Sequence, residues 1–133
     1  MKASKSNITR ALQVHTELEA CDNSGAKILH IIAVRGHKTG KGRRSAAGVG
    51  DLVTAVVKIG IPSMRKQKVY AIIVRQKKEY RRHDGMRVKF ESNAAVVLKD
   101  EKGNPKGTFI KGPVAKEAVE RWSGIAKIAS IVV

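Results

Sequence analysis

Short apolar segments recur along this chain, and turn residues separate them. Four segments are almost continuously apolar and rich in β-branched residues, namely residues 28–34, 52–57, 69–74 and 94–98. Strands that are covered on both faces have this composition. Alternating apolar and polar residues over 12–20 predict a further strand. Short strands separated by glycine-rich turns predict a mainly β fold, a small antiparallel barrel of about five strands.

A basic hairpin is predicted between the last two of these strands. Asp84-Gly85 lies between two extended segments, and glycine accepts the positive φ that a tight turn needs. Seven of the nine residues from Arg75 to His83 are polar or charged without being acidic, so most of this segment is expected outside the core. The pattern predicts an arm that projects from the barrel and carries positive charge to an anionic partner.

Residues 112–124 predict a short C-terminal helical appendage. Pro113 suits a helix start, where its missing N–H costs nothing. Val114, Ala118 and Trp122 recur at intervals of four residues and predict an apolar face that covers the outside of the barrel. The charged residues expected on the opposite, polar face are Lys116, Glu117, Glu120 and Arg121.

The charge balance indicates a polyanionic partner. The 133 residues carry 27 Lys and Arg against 11 Asp and Glu, a formal net charge of +16, and such self-repulsion destabilises a free protein. Residues 58–90 hold 11 basic and 2 acidic side chains, so they are expected to supply most of the binding face. A solvated basic protein and a membrane-surface protein are the alternatives. The basic segments, however, are typical of strands and loops rather than of an amphipathic helix.

The glycine-rich loop of residues 35–44 is a second candidate binding segment. It does not match a Walker phosphate loop, because only three residues separate Gly36 from Gly40 and Gly42 follows Lys41. Its glycines predict a flexible backbone that approaches phosphates closely, while its cations adapt to them. The alternative is a mobile surface loop with no ordered partner.

The aromatic content favours recognition of folded RNA over single strands. Of five aromatic residues, Tyr70, Phe90 and Trp122 match the predicted core, which leaves Tyr80 and Phe109 as candidates for stacking on bases. Binding through phosphate charge and RNA shape is therefore favoured. The predicted RNA-binding residues are Arg35, Lys38, Lys41, Arg43, Arg44, Arg65, Lys66, Lys68, Arg75, Lys77, Lys78, Tyr80, Arg81, Arg82, Arg87 and Lys89.

No catalytic residue, metal site or cofactor is predicted. The single cysteine, Cys21, permits neither an internal disulfide nor a thiol zinc cluster. The four histidines lie in separate segments, and the carboxylates show no paired-acid pattern. The chain has no apolar signal segment near Met1 and no run approaching the roughly 20 residues of a membrane helix. We therefore expect a cytoplasmic protein.

Ten positions of the chain resemble a family signature. The order is a small residue, three aliphatics, nine residues, Asp-Gly, four residues, an aromatic, two residues, Asn, two residues and Val-Val. The residues that fill these positions are Ala71, Ile72, Ile73, Val74, Asp84, Gly85, Phe90, Asn93, Val96 and Val97. The chain thereby resembles the universal large-subunit ribosomal protein fourteen family. Residues 21–27, 48–51 and 111–115 are similar to its archaeal and eukaryotic branch.

The resemblance implies a fold and a function. It implies an OB-like barrel, consistent with one predicted domain over residues 1–133 that includes a basic N-terminal arm at residues 1–10. It also implies a structural constituent of the large ribosomal subunit that binds large-subunit rRNA and, at an intersubunit bridge, small-subunit rRNA. The implied protein partners are neighbouring large-subunit proteins and an anti-association factor.

Two other functions remain to be weighed on the residues alone. A free RNA-binding barrel protein, such as an RNA chaperone or a translation factor, would need the same basic surface. An enzyme acting on RNA would need a catalytic constellation, which the sequence lacks. Co-sedimentation with large subunits separates a ribosomal protein from a free factor.

Overall fold

Five strands close into a barrel in the computed structural model, which describes residues 1–4, 7–37 and 39–133. The strands are β1 (Leu12–Gln13), β2 (Glu17–Ala20), β3 (Ala26–Val34), β4 (Ala46–Ala47), β5 (Leu52–Gly60), β6 (Lys68–Arg75), β7 (Tyr80–Arg81), β8 (Arg87–Val88), β9 (Ala94–Leu98), β10 (Pro113–Val114) and β11 (Ile131–Val132). Two short helices, α1 (Lys116–Arg121) and α2 (Ser123–Ile128), lie between the last two strands. The barrel order is β2-β3-β5-β6-β9, in which only the closing β2–β9 pair is parallel among these strands. The predicted mainly β barrel is confirmed.

The four apolar segments become the barrel strands β3, β5, β6 and β9, whereas the strand predicted over residues 12–20 is divided in two. His15 has φ 74 and interrupts the extended backbone, and the Thr16 N–H donates to the Gln13 carbonyl at 3.2 Å. β1 therefore leaves the barrel and pairs with β4, Leu12 opposite Ala47. The alternation continued through this turn, so the pattern did not reveal it.

The outer faces of β6 and β9 are covered by the C-terminal part of the chain. All five residues of β9 and most of β6 are buried. The Ala115 N–H donates to the Val74 carbonyl at 3.0 Å, which brings α1 onto the barrel, and Ala118 is fully buried. This covering explains why these strands are apolar on both faces.

The helical appendage is confirmed, but it differs in detail from one helix over residues 112–124. Pro113 lies in β10, which pairs in parallel with β11. Trp122 has φ −122 and ψ 103 and separates α1 from α2, because its indole Nε1 donates to the Gly50 carbonyl at 2.7 Å. Gly124 lies inside α2 rather than ending a helix. A Cβ there would lie 2.5 Å from the Gly103 carbonyl oxygen, so close packing explains this glycine.

The topology distributes the basic segments between the two ends of the barrel. The pairs β3–β5, β5–β6 and β6–β9 are all antiparallel. The connection after β3 (residues 35–51) and the connection after β6 (residues 76–93) therefore emerge at the same end, which we call the hairpin end. The connection from β5 to β6 (residues 61–67) lies at the opposite end, which we call the turn end.

Candidate nucleic-acid interface

The predicted hairpin is present at the hairpin end. β7 and β8 pair antiparallel, Tyr80 opposite Val88. Gly85 has φ 91, and its N–H donates to the Arg82 carbonyl at 3.0 Å. The Asp84 carboxylate accepts the Met86 N–H at 2.9 Å, and this hydrogen bond lowers the pKa of Asp84. The turn is thus closed by the residue types from which it was predicted.

Five of the predicted hairpin cations are exposed to solvent. They are Lys77, Lys78, Arg81, Arg87 and Lys89. Arg87 donates to the Glu79 carboxylate at 3.3 Å, and both side chains of this pair are about half exposed. Such a surface pair contributes little to stability and leaves the guanidinium accessible. Asn93 holds the base of the hairpin, because its side-chain oxygen accepts the Lys77 N–H at 2.8 Å.

Two predicted contacts on the hairpin, Tyr80 and Arg82, are buried instead of exposed. Tyr80 has no exposed surface and Arg82 is 8% exposed. The Tyr80 hydroxyl donates to Glu117 Oε2 at 2.8 Å and Arg82 Nε donates to Glu117 Oε1 at 2.6 Å. Burial raises the pKa of Tyr80, and the hydrogen bond to Glu117 raises it further. The expectation that these side chains are exposed is wrong, since both are turned toward Glu117 of α1.

Arg75 is the third predicted RNA contact whose side chain is buried. It is 9% exposed, and its guanidinium donates to the carbonyls of Lys111 and Pro113 at 2.9 and 3.1 Å. Gly112 lies against it with φ 80, and a Cβ there would lie 2.8 Å from Arg75 Nη1. Arg75 therefore fixes β10 on the barrel, which corrects its assignment as an exposed cation.

Gln76 joins three segments at the hairpin end, although no sequence pattern pointed to it. It is fully buried. Its amide nitrogen donates to the carbonyls of Thr9 and Lys78 at 3.0 and 2.9 Å, while its oxygen accepts the Val49 N–H at 3.1 Å. A glutamine after an apolar strand has no distinctive pattern, and two of its three partners, Thr9 and Val49, are distant in the sequence.

The loop of residues 35–44 presents its described cations to solvent. Lys41, Arg43 and Arg44 are exposed, and within the described part of the chain their side chains form no hydrogen bond or ion pair. Arg35 is exposed and pairs with Glu101. The predicted contact Lys38 lies outside the described residues.

The remaining predicted cations lie at or beside the turn end. Arg65, Lys66 and Lys68 are exposed, and Lys66 has φ 63 in the turn before β6. The hydrogen bond from Arg35 lowers the pKa of Glu101, and Lys68, the first residue of β6, lies close enough to that carboxylate to lower it further. The structure brings the hairpin and the long loop to one end and leaves Arg65 and Lys66 at the other.

Other chemistry has little support among the residues that the structure describes. No group of three or more His, Cys, Asp and Glu in them is arranged to hold a metal ion. Cys21 is buried, and burial raises the pKa of its thiol to about 12. Of the two stacking candidates, Tyr80 is buried and Phe109 is 46% exposed. The accessible surface offers cations rather than aromatic platforms.

Comparison with known proteins places the chain in a family. A family described as ribosomal protein L14p/L23e matches residues 11–133. The chain belongs to this family.

Three relatives, each named large ribosomal subunit protein uL14, are similar over nearly the whole chain. The protein of Nanoarchaeum equitans is 53% identical over 133 residues, 100% of both chains. That of Methanothrix thermoacetophila is 50% identical over 133 residues, again 100% of both. That of Methanococcus maripaludis is 54% identical over 132 residues, 99% of both.

Family membership confirms the archaeal and eukaryotic resemblance of the sequence and gives the broad role. The family consists of structural ribosomal proteins rather than enzymes, and ribosomes are cytoplasmic. None of the helices formed by the described residues is long and apolar enough to span a membrane.

Proposed function

We propose that this chain, a structural protein of the large ribosomal subunit, binds large-subunit rRNA mainly through the hairpin end. The observation that carries the proposal is the exposure of nine predicted cations at that end. They are Arg35, Lys41, Arg43, Arg44, Lys77, Lys78, Arg81, Arg87 and Lys89. Two loops that leave the same end of a rigid barrel place these charges where they neutralise neighbouring phosphates. The arginines add planar guanidinium groups, each of which donates two hydrogen bonds to one phosphate.

The cations at the turn end support a second RNA contact. Arg65 and Lys66, in the connection at the turn end, and Lys68, at the start of β6, are exposed. A protein with cations at both ends contacts two RNA segments at once, which an intersubunit bridge requires. We therefore include in the proposal a bridge to small-subunit rRNA, without assigning it to either end.

The C-terminal strand supports the proposed protein contacts. Ile131, Val132 and Val133 are each about half exposed, although all three are apolar. Their segment carries no charge, in contrast with the hairpin and the loop. We assign this surface to neighbouring large-subunit proteins, and the same surface is available to an anti-association factor.

Co-sedimentation tests the proposal against a free RNA-binding factor. Purified large subunits are washed with salt and the chain is quantified against the rRNA. A ribosomal protein bound to rRNA remains stoichiometric with the subunit through the wash. Loss of the chain before the other structural proteins would favour an RNA chaperone or translation factor.

The salt dependence of RNA affinity tests the electrostatic part. Each phosphate neutralised contributes a slope of roughly −0.7 to −0.9 in log affinity against log salt. With six or more contacts, affinity for a large-subunit rRNA fragment should fall on the order of a thousandfold between about 50 and 200 mM salt. A salt-insensitive interaction would contradict binding through phosphates.

A further inference from the structure

A buried polar cluster connects the hairpin to α1. Arg82 Nε donates to Glu117 Oε1 at 2.6 Å, and the Tyr80 hydroxyl donates to Glu117 Oε2 at 2.8 Å. Arg82 Nη2 also donates to the Val133 carbonyl at 2.6 Å. The side chains of Arg82 and Glu117 are 9% and 6% exposed. We call Tyr80, Arg82 and Glu117 the hairpin clamp.

The clamp uses one side of the hairpin and leaves the other for a partner. Tyr80 and Arg82 are two residues apart, so both side chains point to the same face of the strand. Arg81, between them, points the opposite way and is exposed. Of these neighbouring arginines, Arg82 therefore bonds inside the protein and Arg81 faces the solvent.

A buried ion pair by itself adds little to the stability of a protein. Well-packed apolar residues of similar volume often stabilise a protein as much, because burying two charges costs much of their attraction. The bonds of the clamp are directional, however, and they fix where the hairpin leaves the barrel. Side chains that are held in their binding geometry lose less conformational freedom on binding.

We propose that Glu117 is a positioning residue for RNA binding, acting through Tyr80 and Arg82. This inference rests on the proposed function. The carboxylate touches no RNA; it aligns the hairpin so that Lys77, Lys78, Arg81, Arg87 and Lys89 meet phosphates together. A buried acid on the C-terminal helix thus strengthens the affinity for a polyanion.

The sign of this effect separates positioning from simple charge. Glu117→Ala and Glu120→Ala each remove one negative charge from α1, and Glu120 is exposed. Charge alone predicts slightly tighter RNA binding for both variants. The clamp predicts tighter binding only for Glu120→Ala. For Glu117→Ala we expect about tenfold weaker binding and a salt slope shallower by about 1.4 to 2.7, since two or three phosphate contacts are lost.

Tyr80→Phe covers the case in which Glu117→Ala does not fold. It removes one hydroxyl, keeps the ring in the core and changes no charge. We expect about threefold weaker binding and a modestly lowered melting temperature, because the buried Glu117 carboxylate loses one of its hydrogen bonds. If Glu117→Ala is unfolded and Tyr80→Phe binds like the parent, the proposal is overturned. If folded Glu117→Ala binds as tightly as Glu120→Ala, it is overturned as well.

A spin label tests the clamp without RNA. Met86 at the hairpin turn is 61% exposed, so Met86→Cys accepts a nitroxide, whereas Cys21 is buried with its thiol pKa raised to about 12 and reacts slowly. The label should become more mobile when Glu117→Ala is added and unchanged when Glu120→Ala is added. An immobile label in both would contradict the clamp. If the parent fails to bind RNA while the label responds, the proposed function fails and the clamp stands.

Discussion

The hairpin and the loop of residues 35–44 both carry cations at the hairpin end, but the chain holds them in different ways. The hairpin is fixed by the buried clamp at Tyr80 and Arg82. In the loop, the exposed side chains of Lys41, Arg43 and Arg44 have no bonding partner among the described residues. The two segments offer similar chemistry to RNA with different degrees of preorganisation.

The difference teaches that charge and position are separate contributions to one interface. A fixed cation loses little conformational freedom when it meets a phosphate, whereas a mobile one loses more. A mobile cation, in return, adapts to whatever phosphate is near. We therefore expect the hairpin to contribute more affinity per charge than the loop does.

The largest expected effect comes from Trp122, because it supports both segments. Its indole donates to the Gly50 carbonyl in the connection that contains the loop, and α1, which carries Glu117, ends beside it. It is 3% exposed. Trp122→Ala should lower the free energy of unfolding by about 3–5 kcal/mol, through lost burial and a cavity. Lys127→Ala, on the exposed side of α2, is the matched control in denaturant melts and should be silent. A Trp122→Ala loss below about 1 kcal/mol would show that the ring is not a core residue.

The next largest effect separates the two neighbouring arginines. Arg82→Ala leaves the Glu117 carboxylate buried without its partner and should cost about 3 kcal/mol of unfolding free energy. Arg81→Ala removes an exposed side chain and should leave the melting temperature unchanged while weakening RNA binding. Thermal melts and RNA titrations of both variants check this pair. Equal melting temperatures would mean that the clamp contributes nothing to the fold.

The sequence predicted the barrel and the hairpin because their signals are local. A continuous apolar segment and an Asp-Gly turn are determined by neighbouring residues, and β3, β5, β6, β9 and the Gly85 turn all form. Of the four strands, however, only β6 and β9 are covered on both faces as expected. The clamp and the Arg75 bonds connect residues that are far apart in the chain. No local pattern distinguishes Arg82, whose carboxylate partner lies 35 residues away, from Arg81.

The helix pattern also predicted the wrong environment for Glu117. It was expected on the polar face of the helix, but it is 8% exposed. The pattern assumes one buried face, whereas α1 has six residues and is contacted by both the barrel and the hairpin. A short helix packed between the barrel and the hairpin has little surface exposed to solvent, and only the tertiary structure reveals this packing.

A smaller effect is expected when the same substitution, glycine to valine, is made in the hairpin and in the loop. Gly85 has φ 91 and Gly42 has φ 71, and a Cβ at either position meets no atom closer than about 4 Å. Valine therefore acts through backbone strain alone. Gly85→Val should cost about 1–2 kcal/mol, because the clamp and the strand pairing hold the turn. Gly42→Val should cost less than half as much, since the backbone hydrogen bond that spans its turn, from the Arg43 N–H to the Gly40 carbonyl, is long at 3.4 Å. Denaturant melts of the two variants measure the ratio, and equal losses would mean that both turns are held alike.

The smallest effect on stability is the sharpest test of the comparison. Arg43 with Arg44 in the loop, and Lys77 with Lys78 at the hairpin, are exposed pairs of neighbouring cations. Changing either pair to alanine should leave the melting temperature unchanged and make the salt slope of RNA binding shallower by about 1.4–1.8, since two phosphate contacts are lost.

The loss of affinity at one salt concentration should nevertheless differ between the pairs. The backbone of the hairpin pair is held before binding, because the Lys77 N–H donates to Asn93 and the Lys78 carbonyl accepts from Gln76. Removal of the hairpin pair should therefore weaken binding several-fold more than removal of the loop pair. Titration of both double variants with one large-subunit rRNA fragment, at matched salt, measures the difference. If the loop variant loses as much affinity as the hairpin variant or more, the fixed backbone of the hairpin does not increase its affinity for RNA, and the loop becomes the principal RNA contact.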